Sequence, residues 1–384
     1  MSKATRYLNE EPFEPRDTVA LSDAELRAIE ASSWTGFWRR FARHRLAFVS
    51  GLFLLALYAM LPFVELLAPY PPDWRDSAKV YAPPQSIRLF HDGALHPPFV
   101  YGTAQSLNPE TFAREFVEDR TQPQALRFFC TGSTYRFWEL WEGSAHLVCP
   151  AKGASLHLLG TDRLGRDIFS RILYGARVSL TIGIIGVAIS LVLGMALGGL
   201  AGYFGGWTDT VIQRLIELVR SLPELPLWMA LSAALPVTWP PLTVYLGITI
   251  ILGLLDWPSL ARAVRARFMT LREEEFVLAA ELMGASPARV IGRHMLPNFA
   301  SHLIANATLA IPAMILGETA LSFLGLGIRE PMTSWGLMLD QARRIEAILF
   351  YPWILAPMVP VILTVLAFNF VGDGLRDAAD PHQG

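Results

Sequence analysis

The chain has 384 residues, of which 52% are hydrophobic and 17% charged, whereas a soluble domain carries about 25% charged residues; this balance points to a membrane. A mean hydropathy of only +0.35 requires a sizeable polar portion beside the apolar one. The formal net charge of −2 gives no reason to expect a nucleic-acid partner.

Residues 1–33 are polar and mixed in charge, without the apolar core or cleavage site of a secretory signal, so a tail over 1–45 is expected to stay in the cytoplasm. A hydrocarbon core about 30 Å thick requires roughly 20 apolar residues of helix. About six segments meet this condition: 46–67, 179–203, 211–235, 242–260, 304–326 and 352–371. Several are rich in small residues, as in 194–206. Gly and Ala let helix backbones approach closely where lipid offers no hydrophobic drive for association, so these read as bundle elements rather than isolated anchors.

Arg39, Arg40, Arg43 and Arg45 precede the first segment, which places the N-terminus inside. Alternation then puts Arg262, Arg265, Arg267, Arg272, Arg289 and Arg293 inside as well, whereas Arg329, Arg343 and Arg344 fall outside, against the rule. The longest polar piece, 68–159, becomes an extracytoplasmic insert after the first helix. An amphipathic elbow over 160–178 leads into a transport core over 179–372, and a cytoplasmic tail follows over 373–384. Both cysteines, Cys130 and Cys149, lie in the insert. An extracytoplasmic space permits a disulfide between them, the alternative being two free thiols. The insert's aromatics (Phe128, Phe129, Tyr135, Phe137, Trp138, Trp141) suit a small core better than a partner contact.

Between the fourth and fifth segments, residues 269–298 read MTLREEEFVLAAELMGASPARVIGRHMLPN. Thr270 followed by Glu273 is a capping box that predicts a helix start, and Glu274 and Glu275 suit its positive end. Phe276, Ala279, Ala280 and Met283 recur at helical spacing as one apolar face. Gly284 suits a helix C-terminus. Ser286 then caps a second helix with Pro287 at its first position, and Pro297 marks the next break. The flat ridge of Ala279 and Ala280 beside Gly284 suits either the groove of another protein or packing on the chain's own bundle.

This stretch resembles the EAA loop of binding-protein-dependent ABC importer permeases, written EAA, three residues, Gly, nine residues, Ile, one residue, Leu-Pro. The matching positions are Leu278, Ala279, Ala280, Gly284, His294, Leu296 and Pro297. Leu278 stands where the family often has Glu, with Glu275 one turn away. His294 stands where it often has Ile, and the oligopeptide branch commonly has His there. The runs GTDRLGRDIFSRILYGARVSL, GGWTD, LSFLGLG, SWGLML and FNFVGDGLRDAADP, with RRFARHRLAFVSG near the N-terminus, resemble the dipeptide and oligopeptide uptake group, in family order. The resemblance implies that the loop docks on a separate cytoplasmic ATPase and couples hydrolysis to transport. It leaves the insert uncovered.

Glu318 lies in an otherwise apolar segment, where an acid is costly and is a functional candidate by default, lining the path, pairing with a base, or holding an interface. Arg214, Glu217, Arg220 and Glu224 have the spacing of helical ion pairs, and Asp256, Trp257 and Pro258 mark a further expected break. The eight histidines form no HExxH and the two cysteines no repeated CxxC, so no metal site is expected. No GxSxG nucleophile and no GxxxxGK[ST] phosphate loop are present, so no catalytic residue is expected and the nucleotide site must belong to another polypeptide.

The expected architecture is an all-α polytopic membrane protein with the type I ABC importer permease fold. The resemblance further implies a multi-pass protein of the bacterial inner membrane with both termini cytoplasmic, working by alternating access. Its implied partners are a second related permease, two ATPase subunits that hold ATP and Mg, an extracytoplasmic substrate-binding protein, and lipid. The implied cargo is di- or oligopeptide, with nickel, glutathione or oligosaccharide as alternatives inside the group. A membrane receptor or scaffold without transport is the alternative outside it.

Overall fold

The computed structural model describes residues 37–107, 114–138, 140–151 and 153–379. The expected N-terminal tail up to residue 36 and the last five residues of the C-terminal tail lie outside them. In chain order the elements are helix α1 (Arg45–Leu67) and strands β1 (Arg88–His91), β2 (Ala94–Leu107), β3 (Arg114–Ala125), β4 (Arg127–Phe137) and β5 (Trp141–Cys149). Helices α2 (Ile168–Phe204), α3 (Gly206–Arg220), α4 (Glu224–Ala233), α5 (Pro241–Leu271), α6 (Glu275–Leu282) and α7 (Pro287–Phe323) follow. The chain ends in α8 (Trp335–Asp340), α9 (Ile345–Phe350) and α10 (Met358–Ala379).

Among the described residues, five helical runs are long and apolar enough to cross a membrane: α1, α2, α5, α7 and Pro352–Ala379, which contains α10. The sixth expected segment, 211–235, is broken into α3 and α4. Pro223 cannot continue the ladder of N–H donors, and Ser221 turns its hydroxyl back onto Leu218 O (2.7 Å). The broken pair still traverses the bundle. Gly205 lies beside Arg272 at one end, and the Val237 carbonyl accepts from Arg329 at the other. Arg214 and Glu217 form the expected ion pair at 2.6 Å, on the exposed side of α3.

Two other expected breaks do not form. Helix α5 runs through Pro258, and α7 runs through Pro297. The turn before Pro297, Val290–Met295, is a π-helix, whose wider spacing accommodates a residue that has no N–H to donate.

The glycines of α2 determine how the bundle closes. Gly194, Gly198 and Gly202 stand one turn apart and face Leu260, Ala261, Arg265 and Phe268 of α5. A Cβ on Gly198 would sit 2.4 Å from the Ala261 carbonyl oxygen, and one on Gly202 2.7 Å from that of Arg265. Further along, Gly253 of α5 closes on the Gly186 backbone, and Gly183 meets Ile311 and Ile315 of α7. Helix α10 packs on the other side through Gly372 against Leu309 and Gly374 against Ala47. Small residues thus bring backbones into contact where burial in lipid drives nothing.

The expectation of an all-α chain fails in the insert. Strands β1, β2 and β3 form an antiparallel sheet in that order, and β4 and β5 form a hairpin. Cys130 and Cys149 are bonded across that hairpin, with Cα atoms 6.3 Å apart. The expected aromatic core is also corrected: Phe128, Phe129, Trp138 and Trp141 are exposed, Phe129 by 83%. Tyr135 and Phe137 are half-buried, and Phe137 stacks on Trp141 at the hairpin tip. Strand residues alternate between faces, and a two-stranded hairpin covers only one of its own. The buried core here is Val100, Leu126 and Leu156.

One end of the bundle gathers the insert and the 324–357 connection, because Arg166 pairs with Glu330 and Gln341 reaches Asp162. The opposite end gathers the start of α1, the end of α10 and the turn between α5 and α7, as Phe41 and Ala47 against Gly374, and a cavity lined by Thr270, Asn298 and Arg376, show. Both arginine-rich clusters fall at this opposite end, whereas Arg329, Arg343 and Arg344 fall at the insert end.

Gly198→Leu is expected to lower stability by at least about 1–3 kcal/mol through overpacking, seen as a lower thermal midpoint in detergent. Val192→Leu, on an exposed part of the same helix, serves as the silent control. Reduction of the Cys130–Cys149 bond should shift the protein's mobility in a denaturing gel and remove about 3 kcal/mol from the insert, the value for a loop of this length. A mobility unchanged by reductant contradicts the bridge.

Candidate coupling loop and intramembrane acids

The loop between α5 and α7 is built differently from the expected bracket. Helix α5 continues to Leu271, and the Thr270 hydroxyl donates back to Ala266 O, so the Thr270–Glu273 capping box is not made. Helix α6 starts one turn later, with Glu274 at its N-cap and Glu275 exposed in its first turn. It ends in a Schellman turn: Ala285 N donates to Ala280 O (3.0 Å) and Gly284 N to Glu281 O (2.9 Å). Gly284 has φ +82°, the left-handed region that glycine occupies without strain, and nothing lies within 4 Å of where its Cβ would be.

The face of α6 that points inward is rotated from the one expected. Val277 and Ala280 are buried with Val264, Phe268, Leu271, Val290, Met295 and Phe299. Ala280 is only 2% exposed, so it anchors the loop and is not part of an outer ridge. Phe276, Leu278, Ala279, Leu282 and Met283 face outward, Leu282 by 90% and Met283 by 82%. An eight-residue helix has too few positions to be amphipathic on two sides, and contact with the α5 terminus decided which side was covered. Tyr203 at the end of α2 donates to Glu281 (2.7 Å), and Arg272 donates to the Tyr203 carbonyl (3.2 Å), so the loop is tied to the glycine-packed helices. His294 is half-buried, its carbonyl accepting from Asn298 (2.9 Å). Leu296 packs partly into the same cluster and Pro297 is exposed.

Asp209, from the GGWTD run, grips Arg265 through both oxygens at 2.5 Å. The Arg265 hydrogen bonds hold its carboxyl below the usual carboxylate range. This pair pins the start of α3 to α5.

Glu318 is fully buried, and among the described residues it makes no ion pair. Ser322 and Ser179 donate to its two oxygens at 2.7 and 3.2 Å. Ser179 also accepts from Trp335 N (3.1 Å), and Ser322 from Ile328 N (3.0 Å). The acid therefore joins α7 to α2 and to the residues on either side of the α7–α8 connection.

Sequence reading missed the electrostatic centre of the insert end. In GTDRLGRD, Asp162 accepts from the backbone N–H groups of Leu164 and Arg166 through one oxygen. Its other oxygen accepts from the Arg166 and Arg171 guanidiniums at 2.7 and 2.6 Å. Arg166 also reaches Glu330 (2.7 Å). Two acids thus balance two bases, three of the four groups buried. Asp167 caps α2 through Ser170 and holds His157 at 3.1 Å. The expected elbow over 160–178 is a tight turn followed by the first residues of α2. The motif's alternation of acid, base and glycine was the available signal. Gly165 has φ +72°, and its would-be Cβ falls 2.0 Å from the Asp76 carbonyl.

The family model described as the inner membrane component of binding-protein-dependent transport systems matches residues 194–383. The chain belongs to this family: it is the membrane-spanning permease component of an ABC importer. A second model, the N-terminal transmembrane domain of oligopeptide transport permease C, matches residues 32–84. The dipeptide transport system permease DppC of Alkalihalophilus pseudofirmus is 43% identical over 59% of this chain and 72% of its own length. The oligopeptide permease OppC of Bacillus subtilis is 37% identical over the same shares. The glutathione transport system permease GsiD of Pectobacterium atrosepticum is 33% identical over 91% of each chain, a span too long to omit the insert. A solved MetNI methionine ABC transporter in inward-facing conformations covers 55% of this chain and 97% of its own, with a TM-score of 0.43 and 16% identity.

Asp162→Ala is expected to cost about 3–5 kcal/mol, because it removes the carboxylate from the buried Arg171 guanidinium and leaves Arg166 only Glu330, read as a fall in the thermal midpoint. Burial by itself raises this carboxyl, but the Arg171 and Arg166 charges and two N–H donors outweigh it and hold it below the usual range. A depressed carboxyl contributes stability above its unfolded value of about 4 and loses it only as pH falls below that. The Asp162 contribution should therefore be constant between pH 5 and 8 and disappear in stronger acid. An equal midpoint for Asp162→Ala and the parent at neutral pH contradicts the assignment.

Proposed function

We propose that the chain forms one half of the membrane path of an importer for short peptides, and that α6 is where a separate ATPase docks. The observation that carries the docking reading is the outward apolar ridge of Leu278, Ala279, Leu282 and Met283, held at a set angle by the Gly284 turn and by buried Ala280. An apolar helix face left open on a stub anchored to three long helices suits insertion into another protein's groove. Leu278 in place of the family's Glu makes this contact apolar where it is often charged. Glu275, one turn away and exposed, is the acid available to a partner.

The proposed assembly has a second, related permease, two ATPase subunits that hold ATP and Mg, and a substrate-binding protein at the insert end. The arginine-rich end carrying α6 then faces the cytoplasm of a bacterial inner membrane, in keeping with the positive-inside rule. Nucleotide acts by favouring one of two permease states through its differential affinity for the docked arrangement. A motion of α6 is passed to α2, α5 and α7 through the Tyr203–Glu281 bond and the shared apolar cluster.

Peptide cargo is proposed from the kinship with the DppC and OppC permeases. Glutathione is a second reading, supported by the relative whose match extends through the insert. Glutathione is itself a short peptide with one unusual linkage, so both readings call for a path that admits a zwitterion.

Leu282→Arg and Ala279→Arg are expected to reduce ATP-driven uptake of dialanine in proteoliposomes about tenfold or more, the loss that follows from removing about 1.4 kcal/mol of docking energy, with membrane insertion unchanged. A cysteine at 282 should cross-link to the ATPase. Ala280→Arg is expected to fail earlier, by unfolding the loop. Normal uptake by the position 279 and 282 variants refutes the docking assignment.

A further inference from the structure

The bundle holds two acids away from its ends, and their surroundings differ. Glu318 is sealed, with serine hydroxyls on both oxygens. Asp256 of α5 receives no hydrogen bond on its carboxylate among the described residues. Ser259 one turn on donates to its backbone carbonyl instead (3.1 Å). The Asp256 side chain lines a cavity of ≈ 300 Å³ between α2, α5 and α7, with Ser190, Ser259 and Asn306 as the other polar groups on an aliphatic wall. Asn306 contributes an amide Nδ2 that is buried and has no partner.

A buried amide without a partner and a half-buried carboxylate that accepts no hydrogen bond share this apolar wall, an arrangement that is costly until something pairs them. The charges acting on Asp256 are Glu224 and Arg220, on the two halves of the broken helix, and among the described residues no ion pair joins either to it. The cavity wall itself holds no base. The missing partner therefore has a cation for Asp256 and, beside it, an acceptor for Asn306.

We propose that Asp256 and Asn306 form the cargo site within the translocation path, taking the cationic amino end of a peptide: the ammonium pairs with the Asp256 carboxylate, and the first peptide carbonyl accepts from Asn306 Nδ2. The volume suits the end of a small zwitterion rather than a whole chain. Ala263 also lines a second cavity of ≈ 670 Å³ toward the coupling end, whose Arg267 and Arg376 carry the sign that draws the carboxylate terminus onward. The inference rests on the peptide-importer reading and moves the path residue from Glu318 to Asp256.

The test uses the intact importer complex. Because Cys130 and Cys149 are bonded to each other and the chain has only two cysteines, Ser259→Cys supplies a single free thiol in the cavity. Ala263→Cys serves as a second position in case Ser259→Cys misassembles. Labelling rates are compared for a cationic aminoethyl and an anionic sulfonatoethyl methanethiosulfonate of similar size. The cation-to-anion ratio is expected to fall about tenfold when Asp256→Asn is added, as expected for losing one close charge at an effective dielectric near that of protein sites. Dialanine at millimolar concentration should slow labelling, and N-acetyl-dialanine should not. A ratio unmoved by Asp256→Asn, or both thiols inert, overturns the site whatever the cargo. Equal protection by both peptides, in a complex that takes up dialanine, overturns the amino-end assignment. A shifted ratio in a complex that takes up no peptide supports the cation site and sinks the peptide reading instead.

Discussion

The contact of α2 with α5 through Gly194, Gly198 and Gly202 is the constraint on which the other features depend. In a lipid environment apolar side chains gain nothing by leaving hydrocarbon for a neighbour, so association rests on close packing and internal hydrogen bonds. With no side chain between them, the two backbones meet, and α5 cannot shift without taking α2 with it. The loop that carries α6 hangs from the end of α5 and is tied by Glu281 to the end of α2. The cavity that holds Asp256 is the space left where α7 closes on the same pair. One contact therefore connects the exposed ridge of α6 with the cavity beside Asp256.

The opposite end is held by charge instead of close approach. Asp162, Arg166, Arg171 and Glu330 join the entry into α2 to the connection that follows α7. Buried ion pairs often contribute little net stability compared with apolar packing, but they specify orientation, since each guanidinium fork accepts only one arrangement of oxygens. The insert is seated on this end through polar contacts. Arg177 of α2 holds Glu65 of α1 with two bonds of 2.7 Å, and Trp138 of the insert lies on that guanidinium at 4.2 Å and donates its backbone N–H to Glu65 (3.3 Å). His146 contacts the Ala68 carbonyl at 2.7 Å. A β-structured cap thus stands on a helical base, sharing apolar clusters with it only at its edges, through Ala68 and Tyr81.

Much of the helical plan was legible because hydrocarbon imposes a length and a composition that few other environments impose. The long runs, the small-residue faces and the gathering of arginines at one end all follow from elementary rules. Prolines were less readable. Pro223 interrupts a helix while Pro258 and Pro297 do not, because the outcome depends on whether neighbours or a π turn absorb the lost donor. The strands of the insert were hidden for a related reason: largely polar strands over 88–149 stand out little beside spans of twenty apolar residues.

By itself the sequence determined that this is a multi-pass membrane protein and, through motifs in family order, one that resembles importer permeases, since apolar lengths, short motifs and the Gly284 turn are all local properties. It also marked residues 270–297 as a special loop. Only the tertiary structure decided which side of α6 is offered, for Ala280 and Leu282 are equally apolar and differ only in what packs on them. The same holds for the acids. Glu318 and Asp256 are each a carboxylate in an apolar run, and what separates them is that serines from α2 and α7 reach the first while a cavity opens beside the second. Burial and partnership are relations between distant segments, and no spacing within one segment records them.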